Sequence, residues 1–538
     1  MNLNNGQKEA VKSILSFLKS KNKMFLLEGY AGTGKSTIIT YLLKNNHFSK
    51  KKIAMTATTN KAVSVLESLS NFESKNIHFM TIHRLLKFKR KIDESGNIQY
   101  LSSLNEGEWI LNHFNSIYYY DIIIIDEASM INQSMLKNIL YISNTLKGKI
   151  IFLGDIAQLP PINEESSDVF SIDIPKSKLT EIMRNKNSVT NLANKIRIVI
   201  DNQGEKIQLK NYKGDNFKVV KDYDSFYNEY INIFRKKEKA VMVSYTNNQC
   251  NINNNTIRQK LFDTSDKYVV GDLIVFNGFY QNGEESYFTS QQEYINDICT
   301  QNISITKLNF NSLLNLKAGN KLDDVTLINK SGLEIMCPIC YEDSVDFTVE
   351  TKCNHYFCSS CINLWLKQNK ECPYCRMSLV NSTNEVLIKD DKGLTELLID
   401  LKNQTLDYSF KCYRITLGDG GTILVIHKDD EEKHKQIIKF IHQKLTNMKN
   451  YIEKEYKNNF SKILLNKLWE YFYQNFYDKF ANISYGYCIT VHKSQGSTFK
   501  YVFTDMRDII KKNFKYKAKY QCLYTAITRT SETLYLLL

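Results

Sequence analysis

The chain of 538 residues contains no apolar run near the roughly 18 residues a membrane-crossing helix needs, which argues against a transmembrane protein. It has nothing resembling a signal peptide: the opening MNLNNGQKEA is polar and runs directly into an amphipathic stretch. No internal repeat recurs along it. Cysteine is sparse outside one stretch, with seven of the twelve falling between Cys337 and Cys375. Evenly spread cysteines in a small secreted chain would suggest disulfides, whereas one knot in a large chain suggests metal. The expectation is a soluble intracellular protein with no membrane partner, in nucleus or cytoplasm.

What is present is ordinary in balance and basic in sign. Hydrophobic residues make up 43% and charged residues 24%, with a formal net charge of +14. The excess favours an acidic partner, with nucleic acid the first candidate. A lysine- and asparagine-rich coding bias, visible in NNQCNINNN (247–255), accounts for part of it equally well.

At this length several domains are expected. Residues 1–180 alternate helical patterns with short apolar runs that end in acids, clearest in DIIIIDEAS (121–129) and KIIFLGDIAQLPP (149–161). Such runs read as buried parallel strands of an α/β sheet. AVMVSYTNN (240–248) and the closing ETLYLLL (532–538) suggest a second α/β unit, over 181–275 and 481–538. Between its parts lies an insertion over 276–480 that contains the cysteine knot. Near the insertion's end Trp469, Phe472, Phe476 and Phe480 recur at helical spacing, a core face rather than a base-stacking stripe.

Gly29 to Ser36 fits G-x-x-x-x-G-K-[ST], between a strand-like KMFLLEG and a helix-like STIITYLLK. Phosphates need close backbone approach and amide donors at a helix start, which assigns Gly29, Gly32, Thr33, Gly34, Lys35, Ser36 and Thr37 to nucleotide binding. Lys35 would neutralise the β and γ phosphates, and Ser36 would bind Mg²⁺. Asp126 and Glu127 close the most apolar strand; one could hold Mg²⁺ and the other could orient or deprotonate the attacking water.

The ordered series GYAGTGKST (29–37), TATTNKA (56–62), TIHRLL (81–86), IIDEAS (124–129), FLGDIAQLPP (152–161), LTEIMRN (179–185), TVHKSQGSTF (490–499) and LYTAITRT (523–530) resembles superfamily 1 helicases. Its wording is most similar to the B branch, the RecD-like helicases that move 5′ to 3′ on single-stranded DNA. The resemblance covers about 1–275 and 480–538. It implies that Gln7 contacts adenine, Gln158 senses the γ phosphate, and Arg184 and Arg529 reach that phosphate across a cleft. It also implies that Thr58, Asn60, Lys61, His83, Thr490 and His492 line a DNA path, although core or capping roles would explain any one of them. FKRKIDESGNIQYLSSL (88–104) reads as a β-hairpin, within a pin segment of about 87–110. In the B branch a hairpin here splits the duplex; a surface decoration is the alternative.

The run CPICYEDSVDFTVETKCNHYFCSSCINLWLKQNKECPYC (337–375) offers four ligand pairs. Eight soft ligands in pairs make two closed tetrahedral zinc sites, structural ones in a segment too short for its own core. The order resembles the C3HC4 RING finger, placed at 333–380. That resemblance implies interleaving, with Cys337, Cys340, Cys358 and Cys361 on one Zn²⁺ and Cys353, His355, Cys372 and Cys375 on the other. It further implies that Ile339, Trp365 and Pro373 dock a ubiquitin-conjugating enzyme, with Arg376 placed to clamp the ubiquitin thioester. The flanking segments 287–305 and 410–429 resemble the small β module of B-branch helicases, so the RING is expected within an accessory 2B domain over 276–332 and 381–480. Cys299 and Cys412 read as ordinary buried thiols.

The expected fold is α/β: two RecA-like parallel-sheet motor domains with a pin hairpin, a small β-barrel-like accessory domain and an inserted RING. The expected function is an ATP- and Mg²⁺-dependent 5′-to-3′ helicase on single-stranded or forked DNA, RNA not excluded, a monomeric motor coupled to a RING-type ubiquitin ligase. The alternative is a DNA-tracking ATPase scaffold whose zinc finger only binds partners or dimerises. A ubiquitin system implies a eukaryote or a virus of one, and the biased composition suggests a large DNA virus and its viral factory.

Overall fold

A computed structural model describes the chain apart from residues 1–2, 45–47, 49–50, 71–75, 87–88, 93–97, 102–118, 162–163, 184–187, 203–206, 208, 210–213, 284, 306–316, 319–324, 329–336, 338, 340–347, 352, 354, 370, 378, 380–385, 388–391, 406–407, 456–464, 466–467 and 512–515. The first motor half is a six-stranded parallel sheet. Its spatial order is Ile77–Thr81, Ile53–Ala57, Ile122–Asp126, Lys149–Gly154, Met24–Gly29, Lys176–Leu179. The run IIII at 122–125 is buried throughout, because helices cover both faces of this sheet. The second half is a five-stranded parallel sheet in the order Cys488–Thr490, Ala240–Ser244, Phe499–Asp505, Thr530–Leu537, Phe217–Val220. The strand Thr530–Leu537 lies inside this sheet and is packed on both faces, Leu534 and Leu536 on one and Tyr535 and Leu537 on the other.

A third, antiparallel sheet has the order Thr422–Ile426, Ser409–Leu417, Gln292–Ser304, Leu273–Phe276, Ile483–Tyr485. Among the described residues it does not close into a barrel, a correction to the barrel-like expectation. Parts of both faces are packed by other elements, and the rest is open to solvent. Tyr413, Ile415 and Leu417 pack with the short hairpin residues Tyr280 and Tyr287. Phe410 and Cys412 pack instead against a helical arm that includes Glu431–Glu455. Phe472, Phe476 and Phe480 are buried in that arm and Trp469 packs against it, so the aromatic stripe is core. Cys412 is buried, but Cys299 is exposed, a second correction. It lies on the long strand Gln292–Ser304, most of whose residues face solvent.

Of the pin segment, Lys89–Ile92 pairs antiparallel with Ile98–Leu101, while the intervening turn lies outside the described residues. In the RING region Val325–Ile328, Thr348–Thr351 and Tyr356–Cys358 form a small sheet, followed by the helix Ser359–Gln368. No helix among the described residues is long and apolar enough to cross a membrane.

The accessory sheet is fixed to the second motor half by a buried charge pair. Arg258 on the helix Asn247–Phe262 donates from Nε to both carboxylate oxygens of Asp272, at 3.0 and 3.1 Å. Tyr487 Oη and the Val269 amide add hydrogen bonds to the same carboxylate, at 2.7 and 2.8 Å. Replacing Asp272 with Asn leaves the buried guanidinium without its counter-charge. The expected cost is about 3–5 kcal/mol, measured as a loss of stability in urea denaturation.

Candidate functional site: a cleft between two motor sheets and a cysteine-histidine cluster

The phosphate loop joins the strand Met24–Gly29 to the helix Lys35–Lys44. Gly32 and Gly34 adopt φ of 81° and 83°, which a side chain would strain. A Cβ on Gly34 would also approach Gln7 Nε2 to 2.5 Å. Thr33 is buried and its hydroxyl donates to the Tyr30 carbonyl at 2.8 Å. Lys35 Nζ turns back onto the loop, donating to the Gly29 carbonyl at 2.6 Å and the Tyr30 carbonyl at 3.2 Å. Gln7 is buried, its Nε2 donating to the Thr33 carbonyl (3.0 Å) and its Oε1 accepting from the Asn4 amide (3.1 Å). It thus braces the loop from behind.

A cleft of about 420 Å³ opens over this loop. The first motor half lines it with Gly32, Gly34, Lys35, Ser36 and Thr37, and with Asp126, Glu127 and Gln158. The second half contributes Gly496, Ser497, Thr498 and Arg529. Burial pushes the Asp126 carboxyl up to about 7, and the charge of Glu127 adds to the effect while Lys35 opposes it. Glu127 has φ of 54°, in the left-handed region, so the backbone departs sharply from the strand direction just after Asp126. Its amide donates to Asp126 Oδ1 at 2.8 Å. Arg529 is 6% exposed; burial lowers its pKa, while the nearby charge of Glu127 opposes that shift. Arg184 lies outside the described residues. Its neighbour Met183 lines the cleft and donates its amide to the Gly32 carbonyl at 2.9 Å.

The segment Asp155 to Leu159 leaves the first sheet but is held by the second motor half. Ala157 and Leu159 are packed in that half's core beside Val189, Ile489 and Leu523. Gln521 Nε2 donates to the Ile156 carbonyl (3.1 Å), and the Leu159 amide donates to Thr525 Oγ1 (2.9 Å). Tyr524 Oη accepts from the Ala31 amide of the phosphate loop (3.2 Å) and donates to Asp155 Oδ2 (2.8 Å). Between the two embedded residues sits Gln158, buried, with an Oε1 that has no hydrogen-bond partner among the described residues. Motif reading passed over Asp155, Gln521, Tyr524 and Thr525. Asp155 carried the same signal as Asp126, an acid at the tip of an apolar strand, and burial raises its pKa too.

The proposed DNA-path residues lie at carboxyl ends of parallel strands. Thr58 Oγ1 donates to Met130 Sδ at 3.3 Å, and Asn60 and Lys61 open the helix Asn60–Ser70. His83 lies on the short helix Ile82–Leu85, capped by Thr81, which accepts from the Arg84 amide. His492 lies on Val491–Ser494, capped in the same way by Thr490, which accepts from the Lys493 amide. Burial lowers the pKa of both histidines. Lys61 donates to the Ser290 carbonyl of the accessory module at 3.1 Å.

In the cysteine-rich region the ligand atoms of Cys353, His355, Cys372 and Cys375 all lie within 4.8 Å of one another. Those of Cys337, Cys358 and Cys361 do likewise, while Cys340 is outside the described residues. His355 turns Nδ1 toward the thiols, 3.3 Å from Cys353 Sγ and 3.6 Å from Cys372 Sγ. A cluster of thiols and an imidazole with no other chemistry fits a tetrahedral zinc site. Ile339 and Trp365 pack on this domain's core, and Trp365 Nε1 donates to the Glu371 carbonyl at 2.9 Å. Pro373 is half-buried, beside the exposed Tyr374. Arg376 is exposed and paired with Glu371 at 2.5 Å.

Sequence families match three parts of the chain: an AAA domain over 2–215, a UvrD-like helicase C-terminal domain over 485–537, and a Ring finger domain over 335–376. An uncharacterized protein of Acanthamoeba polyphaga mimivirus is 28% identical over 564 residues, covering 99% of each chain. The ATP-dependent DNA helicase dda of Enterobacteria phage T4 is 24% identical over 295 residues, 51% of this chain and 60% of that protein. The E3 ubiquitin-protein ligase rnf8-A of Xenopus laevis is 36% identical over 73 residues, 13% of each chain. The chain is thus similar to helicases at both ends and to RING fingers between them, the arrangement of a superfamily 1 helicase-like motor with an inserted RING finger.

Proposed function

We propose that the chain is an ATP-driven helicase moving 5′ to 3′ on single-stranded DNA, with a RING that recruits a ubiquitin-loaded conjugating enzyme. The observation that carries the motor reading is the cleft lined from both sheets, with Arg529 facing the acids of the other half. Lys35 and the loop amides would bind the ATP phosphates. Ser36 and Asp126 would hold Mg²⁺, which supplies charge neutralisation on those phosphates. Glu127 would orient the attacking water, and Arg529, joined by Arg184, would stabilise charge on the transferring phosphoryl group. Gln158 would report the γ phosphate through the embedded Ala157 and Leu159 to the second half, moving the strand gripped by Thr58, Asn60, Lys61, His83, Thr490 and His492. Gln7 would serve the adenine end, and the hairpin around Lys89–Leu101 would split the duplex.

In the RING, the two clusters would hold two Zn²⁺ ions, with Cys340 completing the second set. Their role is to fold the segment, not to react. Ile339, Trp365 and Pro373 would form the docking face, and Arg376 would exchange Glu371 for the ubiquitin thioester. The phage helicase and the ubiquitin ligase relatives support these two activities respectively. The mimivirus relative supports a viral setting.

Lys35→Ala is expected to abolish strand-stimulated ATP hydrolysis, read as phosphate release, while leaving ubiquitin-chain formation intact. Tyr524→Phe removes one hydroxyl shared by Ala31 and Asp155, and should slow hydrolysis about tenfold with little change in nucleotide affinity. Elemental analysis of the intact protein should return two zinc ions per chain, and Cys372→Ser should lose one. Ile339→Ala and Arg376→Ala should keep both ions and lose chain formation with a panel of conjugating enzymes; chains from either variant would remove its residue from the docking role.

A further inference from the structure

The connection between the strands Leu273–Phe276 and Gln292–Ser304 of the accessory sheet touches both motor halves. At one end Lys493 Nζ of the second half donates to Asn277 Oδ1 at 2.7 Å. At the other, Lys61 Nζ of the first half donates to the Ser290 carbonyl at 3.1 Å. Between these anchors the chain forms a hairpin, Tyr280–Asn282 against Glu285–Tyr287. Its tyrosines turn inward: Tyr287 stacks on Phe276 at 4.7 Å and both are buried. Phe279 and Phe288 do the opposite. They flank the hairpin two residues inside each lysine contact, their rings meet at 5.8 Å, and Phe279 is 46% exposed.

The two cations are poorly served where they stand. Each donates to a neutral oxygen while half-buried. Burial, aided by the charge of Lys239, pushes Lys61 down to about 8, and burial lowers Lys493 as well. A desolvated ammonium against a neutral acceptor gains more from a phosphate than a solvated one does. An aromatic pair with Phe279 exposed and Phe288 half-buried, set between two such cations, has the make-up of a single-strand platform, in which cations take phosphates and ring faces take bases.

We propose that Phe279 and Phe288 form a base-stacking wall for single-stranded DNA, with Lys61 and Lys493 holding the phosphates on either side. The proposal rests on the motor reading and extends it, because it gives the accessory module a direct grip on bases. Motif positions in the two motor halves supply backbone contacts; this wall lies outside all of them.

The test titrates the full-length protein with a short oligothymidylate and with an abasic strand of the same length. Wild type should bind the abasic strand more weakly. Phe279→Ala and Phe288→Ala should each weaken binding of the base-bearing strand about fivefold to a hundredfold. They should leave abasic binding, the salt slope and strand-independent ATP hydrolysis unchanged, and Phe279→Trp should restore affinity. Lys61→Ala and Lys493→Ala should weaken both strands and each lower the salt slope by about 0.7. Equal wild-type affinity for the two strands, with hydrolysis still stimulated, would overturn the wall and leave the motor standing. If no strand binds or stimulates hydrolysis, both readings fall. Stacking seen only with a matching RNA would overturn the assignment to DNA.

Discussion

Two α/β sheets in one chain become a motor only if something spanning the cleft cannot move without moving both. Here that element is the five-residue segment Asp155–Leu159. It is covalently part of the first sheet, running on from the strand Lys149–Gly154, yet Ala157 and Leu159 are buried in the hydrophobic core of the second. Burying those side chains is favourable wherever the second half goes, so the segment follows it. Gln158, caught between the two embedded residues, keeps its side chain at the cleft. Tyr524 adds a polar tie from the phosphate loop to Asp155. The geometry of the nucleotide site and the relative position of the sheets are therefore one variable.

The RING coexists with this motor because of how its insertion is closed. Ser304 and Ser409 are direct partners at the end of the Gln292–Ser304 and Ser409–Leu417 ladder. The chain leaves and re-enters the accessory sheet at the same place, so whatever lies between is hung from a hairpin tip. Lengthening such a loop costs little extra closure entropy. Within that appended segment the two thiol and thiol-imidazole clusters lie against a small buried core that includes Phe357, Ile362, Leu366 and Leu379. Among the described residues, none that lines the motor cleft belongs to this segment.

Much of this was legible in the sequence, and unevenly so. The parallel strands could be read because burial on both faces forces continuous apolar runs, as in Ile122–Ile125. The phosphate loop could be read because its glycines and Lys35 are demanded by local geometry. The period of the aromatic stripe at 469–480 marks one helix face, and core is the commoner use of such a face, as here. Three things were not legible. The open accessory sheet was mistaken for a barrel, since strand patterns do not reveal what covers each face. Cys299 was assigned to the interior, because a lone cysteine gives no sign of which face of a strand it occupies. The grip of Gln521, Tyr524 and Thr525 on Asp155–Leu159 joins positions more than 360 residues apart, and no local pattern encodes such a contact. Interleaving of the cysteine pairs is of the same kind: spacing gives the pairs, and only the fold groups them.

The most direct test of the central claim is hydrogen exchange at Ala157, Gln158 and Leu159 in the intact protein. It should be followed with no ligand, with a non-hydrolysable ATP analogue, and with the analogue plus single-stranded DNA. The Leu159 amide donates across the cleft to Thr525, so its protection reports the contact itself. The account predicts that the analogue and the strand together slow exchange of this segment beyond either alone. Unchanged exchange in all three states, with the nucleotide demonstrably bound, would contradict it.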